Sequence, residues 1–254
     1  MRYLRVEVDD SPRWAILEGD TLHLLSGAPY DDGWTTGEEV AWRDDVTLLA
    51  PATPSKIFCL GRNYSDHRRE MGYAHDGSPS VFMKAPTTII GPGDNIVLPP
   101  PTLSSHVEHE AELAFIIGKP ARNVSAADAA DYIYGYTCAN DVSARDLQRS
   151  DPQLTRGKGF DTFCPIGPWI ETDVDPIDGV RLRCSVNGTP RQDGNTADMT
   201  YDIGFIVEYL TGFATLYPGD LILTGSPGGT APLHPGDSID ITIDGIGTLT
   251  NGVI

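Results

Sequence analysis

The sequence predicts a β-rich α+β fold in two parts, a small N-terminal β domain over residues 1–52 and a larger domain over 53–254. Three observations predict it. Short apolar runs of strand length recur between turn residues. The tripeptide Pro-Gly-Asp occurs at 92–94, 218–220 and 235–237, each time ahead of a strand-like run. Helical periodicity is confined to a few windows in a chain with 27 Gly and 20 Pro.

Along the chain, residues 3–8, 14–17 and 21–25 read as strands, the last entered through Gly19-Asp20. Pro51 and Pro54 mark the boundary. Residues 57–60 form a buried run that leads into Gly61-Arg62-Asn63-Tyr64-Ser65-Asp66-His67-Arg68-Arg69-Glu70-Met71-Gly72, where Asn63 or Ser65 can cap a short helix and Gly72 can end it. That helix has almost no apolar stripe and reads as a lid. Residues 95–98, 113–117, 221–223 and 238–243 are further strands. Pro then Gly in the three Pro-Gly-Asp copies fits a type II turn, and their unlike flanks make this turn chemistry rather than a sequence repeat. Ser125-Ala126-Ala127-Asp128 has the form of a capping box opening a helix through Tyr134. A second helix carries Ile203, Ile206, Val207, Leu210 and Phe213 at helical spacing, with Asp202 or Thr200 as its cap.

Composition narrows the partners. Lys and Arg number 18 against 36 Asp and Glu, a formal net charge of −18, which argues against nucleic acid and anionic membrane surfaces. Any anionic substrate then needs a locally positive site. The cysteines Cys59, Cys138, Cys164 and Cys184 show no metal-ligand spacing and read as buried thiols of a reduced compartment. With no apolar leader at Met1 and no stretch long enough to span a bilayer, a cytoplasmic protein is expected.

Glu110-x-Glu112 and Asp141 carry the strongest chemical signal. Two carboxylates two residues apart on a strand face the same way, at the mouth of a run that reads as core. They repel unless a cation lies between them, and all-oxygen ligands suit Mg²⁺, Mn²⁺ or Ca²⁺ rather than zinc. The pair alone also fits a solvated strand edge. On the short helix, His67 and Glu70 stand three apart and share a face, so Glu70 can orient His67 as a general base. Lys158 is flanked by Gly157 and Gly159, which let backbone approach something closely. Thr224-Gly225-Ser226-Pro227-Gly228-Gly229 after a strand offers hydroxyls and backbone N–H groups to an anion and does not match a phosphate-binding P-loop.

Taken together, Gly61-Arg62-Asn63-Tyr64 with His67 and Glu70, Glu110-Ala111-Glu112-Leu113, residues 140–146, residues 158–165, Val186-Asn187-Gly188, residues 192–196 and Thr224-Gly225-Ser226-Pro227 resemble the fumarylacetoacetate hydrolase (FAH) superfamily over residues 55–254. The likeness is strongest to the acylpyruvate hydrolase and hydroxyheptadienedioate isomerase branch. It implies a mixed β-roll catalytic domain, a homodimer, and one Mg²⁺ or Mn²⁺ per subunit. Carried onto this chain, it implies Glu110, Glu112 and Asp141 as metal ligands, Lys158 beside the metal, and His67 with Glu70 as a water-activating dyad. Arg62, Tyr64, Lys84, Arg145, Gln148, Thr224 and Ser226 would bind substrate. Two departures stand out: Thr230-Ala231 alters the continuation of the glycine turn, and Leu154 stands where an aromatic residue is common.

The expected activity is therefore metal-dependent hydrolysis of a C–C bond in an acylpyruvate or fumarylpyruvate, a small anionic 2-oxo acid. Decarboxylation of an oxaloacetate-like acid, or isomerisation of a hydroxydienedioate, is the alternative on the same site. A structural cation-binding module is the non-enzymatic alternative. It predicts that His67, Glu70 and Lys158 do not converge on the carboxylates.

Overall fold

In the computed structural model, residues 1–43, 46–72 and 77–254 are described. Among them, a sheet of 12 strands and a sheet of five share one apolar core, with the helix Ile203–Phe213 packed into it. The strands Arg2–Val8, Ser11–Glu18, Thr21–Leu25 and Thr36–Ala41 form an antiparallel meander. Arg2–Val8 then pairs with Cys164–Glu171 in the register Arg2↔Glu171 and Tyr3↔Ile170. Strands from both sides of the sequence boundary at Pro51–Pro54 thus lie in one sheet. The terminal ammonium of Met1, 2.9 Å from Glu171 Oε1, fastens that seam.

From Cys164–Glu171 the large sheet continues through Ile133–Asn140, Ala111–Ile117, Leu221–Leu223, Ile57–Gly61 and Ser80–Lys84. Residues 107–117 and 135–145 are buried without a break. The five-stranded sheet runs in the order Thr189–Asn195, Arg181–Val186, Ser238–Ile243, Gly247–Val253 and Asn95–Ile96. All four cysteines are free and buried, and no described helix is long and apolar enough to cross a membrane.

The Pro-Gly-Asp copies form one recurring turn. Gly93, Gly219 and Gly236 have φ of +80°, +84° and +93°. In each copy the Asp N–H donates back to the carbonyl three residues earlier, and the Asp carboxylate accepts the N–H of that same earlier residue. Proline fixes φ at the second position and glycine supplies the positive φ at the third, as a type II turn requires.

Two local expectations are corrected. Ser125 opens a 3₁₀ helix, Ala126–Tyr132, not an α-helix through Tyr134, and Tyr134 belongs to the strand Ile133–Asn140. Ser125 Oγ spends its hydrogen bond on the Asp128 carboxylate (2.6 Å) instead of on a backbone N–H. The helix Ser65–Glu70 begins after Tyr64 with no side-chain cap. Asn63 is occupied elsewhere: its side chain bridges Tyr201 N, Tyr201 O and Thr224 O. By contrast, Asp202 caps Ile203–Phe213 as expected, accepting from Phe205 N at 2.7 Å.

Candidate metal and active site

Topology brings the ends of four strands to one edge of the large sheet. Ile57–Gly61 and Leu221–Leu223 run parallel and finish there. Ala111–Ile117 is antiparallel to Leu221–Leu223 and begins there, and Ile133–Asn140 finishes beside it with Ala111 opposite Asn140. Glu110 and Asp141 are the next residues outward from that pair. Asp141 N–H donates to the Glu110 carbonyl (2.8 Å), and Glu110 N–H donates to Asn140 Oδ1 (3.0 Å). Glu112 reaches the same point from within its strand, so ligand oxygens of Glu110, Glu112 and Asp141 lie within 4.8 Å of one another. All three residues are buried, which rules out the solvated strand edge.

Cations close around this cluster. Lys158 Nζ lies 2.7 Å from Glu110 Oε2 and 2.5 Å from Asp141 Oδ2, and Lys84 Nζ lies 2.6 Å from Asp141 Oδ1. Arg145 Nη1 lies 2.5 Å from Glu110 Oε1. Among the described residues, Glu112 has no cationic side chain within ion-pair distance, and it accepts the Gly225 N–H at 2.6 Å. Burial would raise the Glu110 pKa, but Lys158, then Arg145 and His67, hold it well below the ordinary carboxylate value. Burial raises Glu112 well above that value, and repulsion from Asp141 and Glu110 raises it further. A divalent cation would relieve that conflict, and oxygens this close can share an ion at about 2.0–2.6 Å. The donor set contains only hard carboxylate oxygen, so the residues fit Mg²⁺ or Mn²⁺.

Lys158 is buried at the end of the short helix Thr155–Lys158, not on a solvated loop. Its glycines explain the approach. A Cβ on Gly157 would stand 3.0 Å from Gln148 N, and one on Gly159 would stand 2.4 Å from Thr155 O.

His67 is the one buried residue of Ser65–Glu70. Its Nδ1 lies 3.4 Å from Glu70 Oε2, and its Nε2 lies 3.5 Å from Glu110 Oε1. Burial lowers the His67 pKa, but the interactions with Glu110 and Glu70 outweigh it, leaving the ring above the ordinary histidine value. The helix docks on the glycine turn through two further bonds, Gly228 N–H to Asp66 (3.2 Å) and Gly229 N–H to Glu70 (3.1 Å). Thr230, one of the two sequence departures, donates to Glu108 Oε2 at 2.8 Å. That same oxygen accepts from Arg145 Nε at 2.7 Å.

These side chains enclose a cavity of about 20 Å³, room for roughly one water or ion. Arg62, His67, Glu110, Glu112, Gln148, Lys158 and Ser226 line it, with Leu154 among its apolar walls. The structure therefore gathers His67, Lys158, the three carboxylates, Arg62, Gln148 and Ser226. Arg145 reaches the cluster from behind through Glu110, and Lys84 through Asp141. Tyr64 and Thr224 are not brought to the cavity wall. Tyr64 forms a backbone bridge with Met199, and Thr224 Oγ1 donates to Leu113 O. Of residues 73–80, which follow the helix and in which the sequence carries no readable code for substrate specificity, 73–76 lie outside the described residues, and Ser80 lines the cavity.

Sequence reasoning assigned no role to Glu108, His109 or Gln192, although Gln192 lies in the segment 192–196 that carries the resemblance. Glu108 continues the alternation Glu108-x-Glu110-x-Glu112, a readable signal, and binds Arg145. Gln192 arrives from the other sheet, so no local pattern announces its place beside His109, Ala111 and Ser226.

Residues 56–254 match the family "Fumarylacetoacetate (FAA) hydrolase C-terminal", and residues 1–51 match "Rv2993c-like, N-terminal". The structure of 5-carboxymethyl-2-hydroxymuconate delta-isomerase from Mycobacterium smegmatis is 45% identical, with a TM-score of 0.92 over 100% of this chain and 99% of that one. Mitochondrial oxaloacetate tautomerase FAHD2A of Bos taurus is 42% identical across 84% of this chain and 71% of its own length. Maleylpyruvate hydrolase from Sphingobium sp. SYK-6, solved with manganese(II) and pyruvate, is 31% identical, with a TM-score of 0.82 over 100% and 99% of the two chains. With nearly four fifths of its length matched by the family model and a site built from that segment's own carboxylates, this chain belongs to the fumarylacetoacetate hydrolase family.

Proposed function

We propose that this chain is a divalent-metal-dependent enzyme that interconverts the keto and enol forms of a small 2-oxo diacid. The observation that carries the reading is His67, a buried imidazole oriented by Glu70 at one nitrogen and facing the carboxylate cluster with the other. Proton transfer is the whole of a tautomerisation but only part of a hydrolysis. The isomerase and tautomerase relatives, at 45% and 42% identity, support the same choice over the hydrolase at 31%.

Glu110, Glu112 and Asp141 would hold the ion, which when bound would supply Lewis-acid polarisation of the 2-oxo group. In the ketonising direction protonated His67 would deliver its Nε2 proton to the neighbouring carbon while the enol O–H proton passes to water, and the neutral imidazole would then regain a proton from water, so no net proton is consumed. Lys158 places a fixed positive charge beside the oxygen on which negative charge develops. Arg62, Gln148 and Ser226 offer donors to the carboxylates of the diacid, and the cationic groups offset locally the net charge of −18. The small cavity leaves little room for bulk water.

Hydrolysis of an acylpyruvate or fumarylpyruvate is the second reading, favoured by the pairing of His67 with Glu70 on a solvent-side helix. There His67 would take a proton from water, the hydroxide oxygen would bond to the acyl carbon, and the C–C electron pair would leave as the enolate of pyruvate. One experiment separates the readings. Oxaloacetate enol absorbance and acetylpyruvate cleavage are followed side by side, with Mg²⁺ or Mn²⁺ and with EDTA, while CO₂ and pyruvate are assayed. Metal-dependent loss of enol without CO₂ or pyruvate supports tautomerisation. Acetylpyruvate cleavage without enol chemistry on oxaloacetate reverses the order of the readings, and silence with both substrates rejects both.

A further inference from the structure

We infer that Gln192 is a positioning residue that turns the Ser226 hydroxyl into a hydrogen-bond donor toward the substrate, and so sets affinity for anionic ligands in the cavity. The inference rests on the 2-oxo acid reading above. Gln192 is buried on the edge strand Thr189–Asn195 of the five-stranded sheet and reaches across to the large sheet. Its amide orientation is fixed by two backbone groups that cannot exchange roles. Ala111 N–H is only a donor, so the atom 3.0 Å from it is the oxygen Oε1. The Pro227 carbonyl is only an acceptor, so the atom 2.7 Å from it is the nitrogen Nε2.

With Oε1 as acceptor, His109 donates to it from Nδ1 at 2.9 Å. With Nε2 as donor, its second N–H goes to Ser226 Oγ at 2.7 Å. Ser226 Oγ thus accepts from Gln192, and its own proton points elsewhere. Among the described residues, its other partner is Pro227 O at 3.3 Å, a longer contact than the 2.7 Å bond that the same carbonyl accepts from Gln192. Because Ser226 lines the cavity, its O–H is directed to a ligand oxygen when one is present. The chain of bonds has one sense: Ala111 N–H to Gln192, Gln192 N–H to Ser226, Ser226 O–H to the anion.

Packing supports a fixed relation between these parts. A Cβ on Gly194 would stand 2.6 Å from Pro227 Cβ, and one on Gly229 would stand 2.3 Å from Arg191 O. The strand bearing Gln192 therefore lies flush against the turn bearing Ser226, and side chains at those glycines would force them apart.

The test reverses the sense of the chain. In Gln192→Glu the carboxylate accepts from both Ala111 N–H and Ser226 O–H, which takes the hydroxyl proton away from the cavity. Gln192→Met removes the donor with little change in size. Both are made alone and in the Ser226→Ala background. For each, KM and kcat on the substrate turned over by the wild type are measured, together with calorimetric binding of oxalate in saturating Mg²⁺. The expected result is that Gln192→Glu raises KM and weakens oxalate binding about tenfold, as for loss of a hydrogen bond to a charged group, with kcat retained. Gln192→Met does so to a smaller degree, and neither has a further effect once Ser226 is Ala. Equal losses with and without Ser226, or no loss in Gln192→Met, would overturn the inference. If Gln192→Glu does not fold, Gln192→Met and its double variant decide alone. Wild-type protein that binds no oxalate and turns over no 2-oxo acid would instead sink the functional reading on which the inference stands.

Discussion

The carboxylate cluster and the helix that carries His67 meet at one cavity but are built on opposite terms. The cluster grows from paired strand ends inside an unbroken buried stretch, and its three carboxylates are held by Lys84, Lys158, Arg145 and a backbone N–H. The helix is six residues long, has no side-chain N-cap, and buries only His67. Isolated helices this short do not hold themselves. Its placement rests on Asp66 and Glu70 accepting Gly228 and Gly229 N–H groups, and on His67 itself. The contrast has a physical reason. Several charges out of water must be fixed by rigid surroundings, because a small displacement leaves a desolvated charge unpaired. A proton carrier needs only orientation, and a loosely held element can let substrate past it. The helix supplies one wall of the cavity, through His67.

Breaking the rigid side should have the largest effect. Glu112→Gln keeps the shape and the Gly225 contact but removes a ligand charge. Mn²⁺ affinity, read by electron paramagnetic resonance titration, should fall by more than roughly 100-fold, beyond what loss of an outer partner costs. Turnover should vanish with it. Unchanged Mn²⁺ affinity would refute the metal centre. Breaking the helix side should give the opposite signature. His67→Ala should lower kcat by about 10²–10⁴-fold while leaving Mn²⁺ affinity near wild type. If both readouts fell together in the His67 variant, the helix would belong to the metal scaffold and the contrast would be wrong.

Glu70→Gln sharpens the same comparison at smaller scale. Glu70 orients His67 and accepts the Gly229 N–H, so the amide keeps the second contact and loses the charge. A fall in kcat of about tenfold is expected, with KM little changed. An equal loss in Glu70→Ala and Glu70→Gln would assign the effect to the carboxylate charge, whereas a larger loss in Glu70→Ala would assign part of it to docking on the turn.

The rigid side was also the more legible in sequence. Period-two carboxylates ahead of an apolar run, and glycines around Lys158, announce side chains that must converge, since burial of such groups needs partners. The Pro-Gly-Asp turns could be read outright because each residue's backbone requirement is local. What could not be read is what long-range contact decides. Ser125 satisfies the capping-box pattern, yet the chain returns to the sheet at Ile133 because Tyr134 and Tyr136 are needed there. Asn63 satisfies the N-cap pattern, yet it bonds to residues 138 and 161 positions away. Gln192 lies in the segment 192–196 that carries the family resemblance, but its role could not be read because its partners lie on another sheet.

Asn63 supplies the smallest effect on chemistry and the clearest test of how the two regions are joined. Its side chain, fully buried, accepts from Tyr201 N–H at 2.8 Å and donates to Tyr201 O at 2.9 Å and Thr224 O at 2.8 Å. It therefore ties the entrance of the helix to the turn after Leu221–Leu223, where a Cβ on Gly225 would already stand 2.7 Å from Asn63 Cβ. Asn63→Ala strands a buried N–H and removes a donor from two buried carbonyls, so a loss of about 2–4 kcal/mol in urea unfolding is expected. Activity per folded molecule should fall less than in Glu70→Gln, because the Asp66, Glu70 and His67 contacts remain. Should activity collapse without loss of stability, the helix would be positioned through Asn63 and not through its own carboxylates, and the division between a rigid metal scaffold and a separately docked base would have to be redrawn around that single amide.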